Sequence, residues 1–482
     1  MSKQYPHDTA HGSRRALLKA GVAVGAIGGL GMLAELAKVP VELAATPANL
    51  SPALPAGKAN AITWQNWSGI QSCHPLGINS PANESAIADL FKQSSGTIRC
   101  VGAGHSFVPL VPTDGTIVSL DKMSGIIDRH DHLVRVQAGT RLAQLARELD
   151  GIGLAMHNQP DIDAQSFAGA ISTATHGTGK ELPALHAKVQ ALRLLTPTGE
   201  ILTCDANTNA DLLQAARVSL GSLGVITEVT LEAVPAYYLQ RKVWLRPVDD
   251  MLAMAHDLAN QHRHFEFYYL PFTGYAAAIT HNIVNDEKIV RPESGDEAML
   301  HDLRQLRDWM GRFPDLRRWL AKKLIDPQQV ELAQDKSWKL LSTSRPTKFN
   351  ESECHVPQEH GINCVREVIQ KLEQRHDVFF PLEFRFVKAD DAWLSPFYQR
   401  ETCSIAVHAA AGEAYQYLVQ DIAPIFRKYQ GRPHWGKLHA HQAADLSNLY
   451  PRWKDFLAIR EHCDPHGRML NPHLRQVFGV SA

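Results

Sequence analysis

The chain of 482 residues is long enough to form two domains. Apolar residues make up 44% of the chain and charged residues 21%, which is ordinary for a globular protein. The formal net charge of −1 gives no basic excess that would draw the protein to nucleic acid, so no nucleic-acid partner is expected. The seven cysteines are an odd number, and we expect no obligatory disulfide framework.

The first 45 residues have the pattern of an export signal. Ser13-Arg14-Arg15-Ala16-Leu17-Leu18-Lys19 precedes an uncharged stretch from Ala20 to Ala34, and small residues follow at Ala44 and Ala45. Paired arginines before a short apolar core are typical of a twin-arginine signal peptide. We therefore predict a signal over residues 1–45, a linker over 46–61, and export by the twin-arginine machinery to the periplasm or the extracellular space. No stable membrane insertion is expected after cleavage, and an uncleaved anchor is the alternative.

The folded part is predicted to begin at Ile62 with helices and strands that alternate at short spacing. A helix is expected from Ser85, which can act as its N-cap, to Ser94. An apolar strand from Thr97 to Val101 follows. The next predicted elements are two short strands and a helix, at Val118–Leu120, Leu133–Gln137 and Arg141–Leu149.

Three segments rich in small residues carry the candidate binding chemistry. In Val101-Gly-Ala-Gly-His105-Ser-Phe-Val-Pro-Leu110 two glycines let the backbone turn sharply and approach a ligand closely. Ser166 to Gly179 exposes backbone N–H groups of the kind that bind phosphate oxygens. For both loops an ordinary glycine-rich turn is the alternative. The third segment, Leu220 to Val229, runs from a glycine turn into an alternating strand, and taken alone it predicts only a hairpin.

The spacing of these glycines excludes a Rossmann site for NAD. Such a site needs G-x-G-x-x-G between a strand and a helix. Gly102 and Gly104 are followed by Phe107, where the third glycine should stand.

Taken in order, the motifs R-x-V-G-A-G-H-S, T-D-G, S-x-A-G…T-H-G-T-G and G-S-L-G-V-I-T-E resemble those of the vanillyl-alcohol-oxidase (PCMH) type of flavoprotein. Within that type, they are most similar to the sugar-lactone and alditol oxidases. The resemblance extends from Ile62 to the C-terminus. It implies an α+β fold with a two-subdomain FAD-binding domain over residues 62–235. A substrate (cap) domain with an antiparallel sheet would occupy 236–463, and a segment over 464–482 would return to the FAD domain.

The same resemblance implies which residues hold FAD. In the covalent branch of these families the histidine of G-H-S carries FAD, and it corresponds to His105. The other predicted FAD-binding residues come from the three small-residue segments: Gly102, Ala103, Gly104, Ser106, Ser166, Gly169, Ser172, Thr175, His176, Gly177, Gly221, Gly224, Val225 and Ile226.

The predicted substrate domain contains a strand, Phe265–Pro271, and a charged helical segment, Asp286 to Lys323. We expect the segment to form a helix pair broken near Pro314, with one face packed on the domain. That face would carry Leu300, Leu303, Leu306, Trp309 and Met310. A partner surface is the alternative.

The stretch from Phe380 to Val387 has the alternation of a strand. Leu382, Phe384 and Phe386 would face the core, so Glu383 and Arg385 project together from the other face. The pair is either a solvated ion pair or the lining of a cavity. The resemblance favours the cavity, because P-L-E-F-R-F-V-K-A-D-D-A-W-L-S-P is similar to the lactone and alditol oxidase motif.

The motif His434-Trp435-Gly436-Lys437 is also found in these families, with the lysine beside the flavin. If this stretch is extended, Trp435, Lys437 and His439 share one face, and His434 and Gly436 share the other. A metal site at His434, His439 and His441 is the rival interpretation, but no cysteine or H-E-x-x-H spacing accompanies it. We predict no metal.

The resemblance implies FAD-dependent oxidation of an aldono-1,4-lactone or a polyol, with hydride transfer to flavin N5 and reoxidation by O2 or another acceptor. Glu383, Arg385 and Lys437 would be the catalytic residues. Two alternatives remain. One is a flavin enzyme of the same fold that acts on an aryl alcohol, an amine or a cytokinin-like compound. The other is an exported flavin-binding protein without catalytic activity.

Overall fold

The computed structural model describes residues 62–292, 295–343 and 346–481. The predicted signal peptide and linker lie outside the described residues. The described chain is an α+β structure whose N-terminal unit has twelve strands and four α-helices before residue 236. The strands are β1 Trp64–Gln65, β2 Ser72–Cys73, β3 Gly77–Asn79, β4 Ile98–Val101, β5 Thr116–Ser119, β6 Ile126–His130, β7 Leu133–Gln137, β8 Leu154–Ala155, β9 Val189–Leu195, β10 Ile201–Asp205, β11 Val225–Glu232 and β12 Val234–Pro235. The helices are α1 Glu84–Gln93, α2 Leu142–Gly151, α3 Phe167–Ser172 and α4 Ala210–Ala216.

Two sheets form the framework of this unit. One is a small parallel sheet in the order β3-β5-β4, and the other is an antiparallel sheet in the order β10-β9-β11-β7-β6. Helix α2 buries Leu142, Leu145, Ala146 and Leu149 at helical spacing, so the predicted helix in this region is confirmed. The first of the small-residue loops leaves the end of β4, as predicted.

The N-cap of helix α1 differs from the prediction. Asn83 caps the helix, and its side chain accepts a hydrogen bond from the backbone N–H of Ala86 at 2.9 Å. Ser85 lies inside the first turn. Asparagine and serine can both cap a helix, so the residue type at Ser85 was not sufficient to place the start of the helix.

The second unit is built on one large antiparallel sheet, in the order β16-β13-β15-β14-β18-β19-β17-β20. Its strands are β13 Tyr238–Pro247, β14 His264–Leu270, β15 Tyr275–Val284, β16 Val330–Lys336, β17 Phe349–Pro357, β18 Leu382–Val387, β19 Thr402–Ala410 and β20 Arg432–Pro433. The helices of this unit are α5 Val248–Gln261, α6 Asp296–Met310, α7 Pro314–Leu324, α8 Ser337–Leu341, α9 Gly361–Leu372 and α10 Ala423–Lys428.

The predicted helix pair is present as α6 and α7, with the break before Pro314. Leu303 and Leu306 are buried as expected, but Trp309 is 58% exposed. At 3.6 residues per turn Trp309 points about 120° away from Leu303, which removes it from the face that packs on the domain. The prediction that Trp309 belongs to that face was therefore wrong.

The C-terminal helices are α11 Ala443–Leu449, α12 Trp453–Cys463 and α13 Pro472–Phe478. Side chains from all three, including Leu446, Phe456 and Phe478, join the hydrophobic core of the N-terminal unit. Asn471 also donates hydrogen bonds to the carbonyl oxygens of Pro109 and Pro112, at 2.8 and 2.9 Å. The end of the chain is thus part of the N-terminal unit, and its contacts begin before residue 464.

All seven cysteines fall in the described part of the chain and are free thiols. Within residues 62–292, 295–343 and 346–481, no helix has both the length and the apolar content needed to cross a bilayer.

Candidate active site

A long cleft runs along the first small-residue loop of the N-terminal unit. Its walls come from the loop after β4, the start of helix α3, the turn before β11 and the H-W-G-K stretch. The empty volume is about 1280 Å³, which includes open solvent, so the cleft is a groove that is open on one side and not an enclosed cavity.

The backbone approaches closely at the narrow part of this cleft. A Cβ atom on Gly102 would lie 2.2 Å from the Oγ of Ser166, so a larger residue there would force Ser166 to move. Gly104 has a φ of +68°, in the left-handed region that favours glycine. Ser166 is also the N-cap of α3, because its hydroxyl accepts from the N–H of Gly169 at 3.3 Å. The two small-residue loops therefore meet across the cleft.

Arg99 connects the walls of the cleft, and the sequence analysis assigned it no role. Its buried guanidinium donates to the carbonyl oxygens of Leu110, Leu220 and Gly221, at 2.7, 2.8 and 2.8 Å, and to that of Met469. These carbonyls belong to three separate loops around the cleft. Burial lowers the pKa of Arg99 to about 10, so the group remains charged at neutral pH.

His105 lines the cleft where the first loop ends. Its ring stacks on Trp67, with the ring centroids 4.9 Å apart and the planes at 26°. Burial lowers the pKa of His105 to about 4, and the positive charges of Lys437 and Arg141 lower it further in the same direction. The imidazole is therefore neutral at physiological pH, and a nitrogen lone pair is available.

Most of the predicted FAD-binding residues lie together in this cleft. Those that line it are Gly102, Ala103, Gly104, His105, Ser106, Ser166, Gly169, Ser172, Gly221, Gly224 and Ile226. Thr175, His176, Gly177 and Val225 are not among the lining residues.

The T-H-G-T-G stretch turns away from the cleft and joins the two units. His176 Nε2 lies 2.9 Å from Oε1 of Glu353 on β17. Thr178 Oγ1 donates to the carbonyl of Phe265, and the N–H of Gly179 donates to the carbonyl of Phe386 at 2.8 Å. This stretch is therefore an attachment between the N-terminal unit and the large sheet.

His176, Glu353 and His355 each bring one possible metal-ligand atom within 4.8 Å of the others. However, Nδ1 of His176 also faces an acceptor, the carbonyl oxygen of Gly177 at 2.8 Å. Both ring nitrogens of His176 therefore face acceptors within the protein. Burial alone would raise the pKa of Glu353, but its contact with His176 and the charge of Lys437 outweigh burial and hold that pKa well below its usual range. A buried hydrogen bond therefore accounts for the contact between His176 and Glu353 without a metal.

Lys437 reaches the cleft from the second unit. Its Nζ donates to Oε2 of Glu351 and lies 3.9 Å from Oε2 of Glu353. Burial alone would lower the pKa of Lys437, but the carboxylates of Glu351 and Glu353 outweigh it and raise the pKa. Lys437 is thus a fixed positive charge at the wall of the cleft.

The H-W-G-K stretch is a turn, so the shared faces expected for an extended stretch do not apply. Strand β20 ends at Pro433, and the N–H of Lys437 donates to the carbonyl of His434 at 3.0 Å. As a result His434, Gly436 and Lys437 all line the cleft, while Trp435 points into the core and donates to the carbonyl of Leu394. The chain reverses because the N–H of Leu438 pairs with the carbonyl of Glu351, at 2.9 Å.

Glu383 and Arg385 lie on β18 and are only 7% and 8% exposed. The alternative of a solvated ion pair is therefore wrong. Arg385 forms ion pairs with Glu383 and with Glu266, whose Oε2 lies 2.6 Å from Nε of Arg385. The hydroxyl of Tyr268 donates to Glu383 at 2.7 Å. Neither Glu383 nor Arg385 is among the residues that line the cleft.

Burial and neighbouring charges set the pKa of Glu383. Burial raises this pKa to about 8, and the nearby charges of Glu266 and Asp161 act in the same direction, against the attraction of Arg385. Glu383 is also one of the carboxylates that raise the pKa of Lys437, so both belong to one electrostatic cluster. Glu383 therefore holds a proton more readily than an exposed glutamate does.

The sequence analysis missed Glu266, Glu351, Glu353 and Tyr268. For Glu351 and Glu353 a signal existed, because the two carboxylates lie two residues apart and so share one face of the strand Phe349–Pro357. All nine residues of that strand are buried, so its glutamates need partners inside the protein.

The fold, the cleft and the comparisons with known proteins agree on the class. An FAD-binding-domain family model matches residues 75–205, which include both small-residue loops, and the protein is an FAD-dependent oxidoreductase. The family model described as D-arabinono-1,4-lactone oxidase matches residues 229–477. The chain belongs to the D-arabinono-1,4-lactone oxidase family.

Relatives of this family cover nearly the whole described chain. The L-gulono-1,4-lactone dehydrogenase of Mycobacterium tuberculosis is 35% identical over 86% of this chain and 99% of its own. The L-gulonolactone oxidase of Bos taurus is 31% identical over 86% and 98%, and the alditol oxidase of a Streptomyces species is 26% identical over 87% and 99%. Among solved structures, a solvent-stable cholesterol oxidase has a TM-score of 0.72 at 15% identity, over 86% of this chain and 97% of its own. That likeness concerns the fold, and it supports the predicted α+β flavoprotein architecture.

Proposed function

We propose that the protein oxidises a CH–OH group of a sugar-derived aldono-1,4-lactone or polyol. The observation that carries the proposal is the buried charged cluster of Glu383, Arg385 and Lys437, with Lys437 at the wall of the cleft. Fixed charges with hydrogen-bonding capacity suit a substrate with several hydroxyl groups, whereas an aryl substrate needs a mostly apolar pocket. The names of the relatives, which refer to gulonolactone and alditols, point to the same substrate class.

Bound FAD would supply the hydride acceptor for this oxidation. The residues that would hold it are those lining the cleft: the closely approaching backbone at Gly102 and Gly104, the start of helix α3 at Ser166, and the turn at Gly221. Backbone N–H groups at such turns and at helix starts favour phosphate oxygens. The clash that a Cβ on Gly102 would make is an observation of this chain that fits a narrow cradle.

Lys437 would act as a preorganised positive charge. Its ion pair with Glu351 fixes its Nζ atom, so no reorganisation is needed when negative charge develops nearby. Such a charge stabilises the alkoxide that forms as a substrate hydroxyl loses its proton. Removing a charge of this kind costs roughly 3 kcal/mol of barrier.

Glu383 and Arg385 would bind the substrate hydroxyl groups. Glu266 holds the Nε side of the Arg385 guanidinium, and Tyr268 holds one oxygen of Glu383. Because the pKa of Glu383 is raised to about 8, this carboxyl can donate a hydrogen bond at neutral pH and accept a proton above pH 8.

We further propose that His105 is the covalent attachment point of FAD. The lowered pKa keeps its imidazole neutral, and a neutral ring has the lone pair that bond formation needs. Its stacking on Trp67 fixes the ring orientation at the cleft. The G-H-S sequence supports the same proposal through the family resemblance.

The twin-arginine pattern supports a further part of the proposal, namely export to the periplasm or the extracellular space. This route carries folded proteins, which suits an enzyme with a tightly held cofactor. The electron acceptor would then be O2 or another acceptor of that compartment.

The experiment is a substrate panel with anaerobic bleaching of the flavin absorbance. Aldono-1,4-lactones and polyols should bleach the flavin, and aryl alcohols and amines should not. The Arg385→Lys variant should keep the flavin spectrum and lose bleaching by the best substrate, whereas the exposed-surface control Lys122→Gln should keep both. Bleaching by an aryl alcohol alone would favour the alternative substrate class, and bleaching by no compound would favour a binding protein.

A further inference from the structure

Four large apolar side chains are exposed at the junction of α6 and α7. Trp309, Phe313 and Trp319 are 58%, 60% and 57% exposed, and Leu316 is 44% exposed. No other window of eleven residues in the described ranges exposes as many. We name these four residues the aromatic ridge. None of them lines the cleft, so the ridge is separate from the candidate active site.

The inner side of α7 is fixed to the domain, which leaves the ridge facing outward. Arg317 is fully buried and donates to the carbonyl of Val378 at 2.7 Å, and its guanidinium lies 4.0 Å from the ring centroid of Phe272. Ala321, one turn further, is also buried. Leu316 and Trp319 are three residues apart, at the spacing of one helix face. The helix therefore presents this face because its opposite side packs on the sheet unit.

The ridge has basic neighbours. Arg312, Lys322 and Lys323 are exposed, and none of the three lies within 4.0 Å of a carboxylate among the residues that the structure describes. The Nζ atom of Lys323 lies 6.0 Å from the ring centroid of Trp319. Arg318, in contrast, is neutralised by Asp315 and Glu373. Two exposed acidic residues near the ridge, Asp302 and Asp326, also form no ion pair within the described residues, but the three cations outnumber them, so the net unpaired charge around the ridge is positive.

We propose that the aromatic ridge docks the protein on the surface of an anionic lipid bilayer. Tryptophan and other aromatic rings favour the bilayer interface, and lysine and arginine beside them bind anionic headgroups. Four side chains at about half exposure offer roughly 400 Å². A stable protein interface buries about 800 Å² on each partner, so a second copy of the chain is the less suitable occupant. The protein would lie on the membrane without crossing it.

The test is co-sedimentation of the purified holoenzyme with vesicles of phosphatidylcholine alone and with 30% phosphatidylglycerol added. The wild type should bind the anionic vesicles more strongly. Trp309→Ser/Trp319→Ser should lower the partition coefficient by about tenfold or more, from the apolar area lost. Each basic residue near an anionic surface multiplies binding by about five, so Lys322→Gln/Lys323→Gln should lower it by about 25-fold.

Two matched controls separate docking from general effects. Leu76→Ser/Ile201→Ser removes exposed apolar side chains elsewhere, and Lys122→Gln/Lys454→Gln removes two exposed charges elsewhere. Neither control should change vesicle binding. The ridge variants and the controls should all keep the wild-type flavin content and the wild-type turnover with a soluble acceptor. Equal vesicle binding by wild type and ridge variants would overturn the proposal. So would a wild-type dimer in solution that the tryptophan variant converts to a monomer, because a second copy would then cover the ridge.

Discussion

The imidazole of His176 and the carboxylate of Glu353 meet at 2.9 Å, and their contact ties a loop of the N-terminal unit to the large sheet. Glu353 also accepts from Ser404 and lies near Lys437, so the contact continues to the wall of the cleft. The position of the charged groups at the cleft therefore depends on how the two units are joined.

The first prediction concerns this contact. Glu353→Gln removes the buried carboxylate that contacts His176 and lies 3.9 Å from Nζ of Lys437, and removing one member of a buried charged cluster costs about 3 kcal/mol. We expect the free energy of unfolding in urea to fall by that amount. Glu359→Gln, at an exposed glutamate two residues after the end of β17, is the control and should change stability little. Equal stability of Glu353→Gln and wild type would mean that the charge of the Glu353 carboxylate does not stabilise the fold.

The second prediction concerns the charge at the cleft. Lys437→Met should lower kcat about a hundredfold, which corresponds to roughly 3 kcal/mol of barrier. The measurement is single-turnover flavin reduction in the stopped-flow instrument. Lys388→Met removes a lysine that pairs with exposed Glu181 and should reduce the flavin at the wild-type rate. An unchanged rate of flavin reduction in Lys437→Met would show that Lys437 has no catalytic role.

The third prediction is a pH dependence that arises from Glu383. Burial raises its pKa to about 8, so kcat/KM should increase with pH and level off above about pH 8, as the carboxylate becomes able to accept a proton. Glu383→Gln cannot ionise, and its profile should lack this inflection. An inflection of the same size in the variant would assign the titration to another group.

Glu383 should also make the stability of the protein depend on pH, in the opposite direction to kcat/KM. Between its unfolded pKa of about 4.3 and its folded pKa of about 8, the folded protein binds more protons than the unfolded chain. Its contribution to stability is therefore complete at low pH and is lost as the pH rises towards 8. As the pH rises from about 4.3 to about 8, the thermal midpoint of Glu383→Gln should fall less than that of the wild type. Differential scanning calorimetry measures both midpoints.

The fourth prediction tests the narrow part of the cleft. Gly102→Ala should lower the FAD content of the purified protein, because its Cβ would lie 2.2 Å from Ser166 Oγ. Gly151→Ala is the matched control, because nothing lies within 4 Å of a Cβ at that position. The measurement is the ratio of flavin to protein absorbance, with far-UV circular dichroism as the check on folding. Full flavin content in Gly102→Ala would show that the cleft does not need this glycine.

Local patterns in the sequence predicted much of the fold. The alternation along β18 gave both the buried apolar face and the shared position of Glu383 and Arg385. The glycines of the first loop predicted a close backbone approach, and the structure has it at Gly102. These features depend on residues near one another in the chain, so periodicity and backbone conformation were sufficient.

Features that depend on distant contacts were not predictable in this way. The turn at Lys437 exists because the H-W-G-K stretch pairs with Glu351, which lies 86 residues away in the chain. His176 belongs to a small-residue loop of the phosphate-binding kind, and only the packing of the second unit against it reveals Glu353 as its partner. Helical spacing also placed Trp309 on the face that packs on the domain, but the domain does not cover this residue and its side chain is exposed.

The proposal that the cleft at the first small-residue loop holds FAD, with His105 as its attachment point, can be tested by acid precipitation. The absorbance of wild type and His105→Ala is measured after the precipitates are resuspended in a denaturant. We expect a yellow wild-type pellet with flavin absorbance that survives washing, and a colourless pellet for His105→Ala whose flavin appears in the supernatant. A colourless wild-type pellet, or a His105→Ala pellet as yellow as that of the wild type, would contradict the proposal.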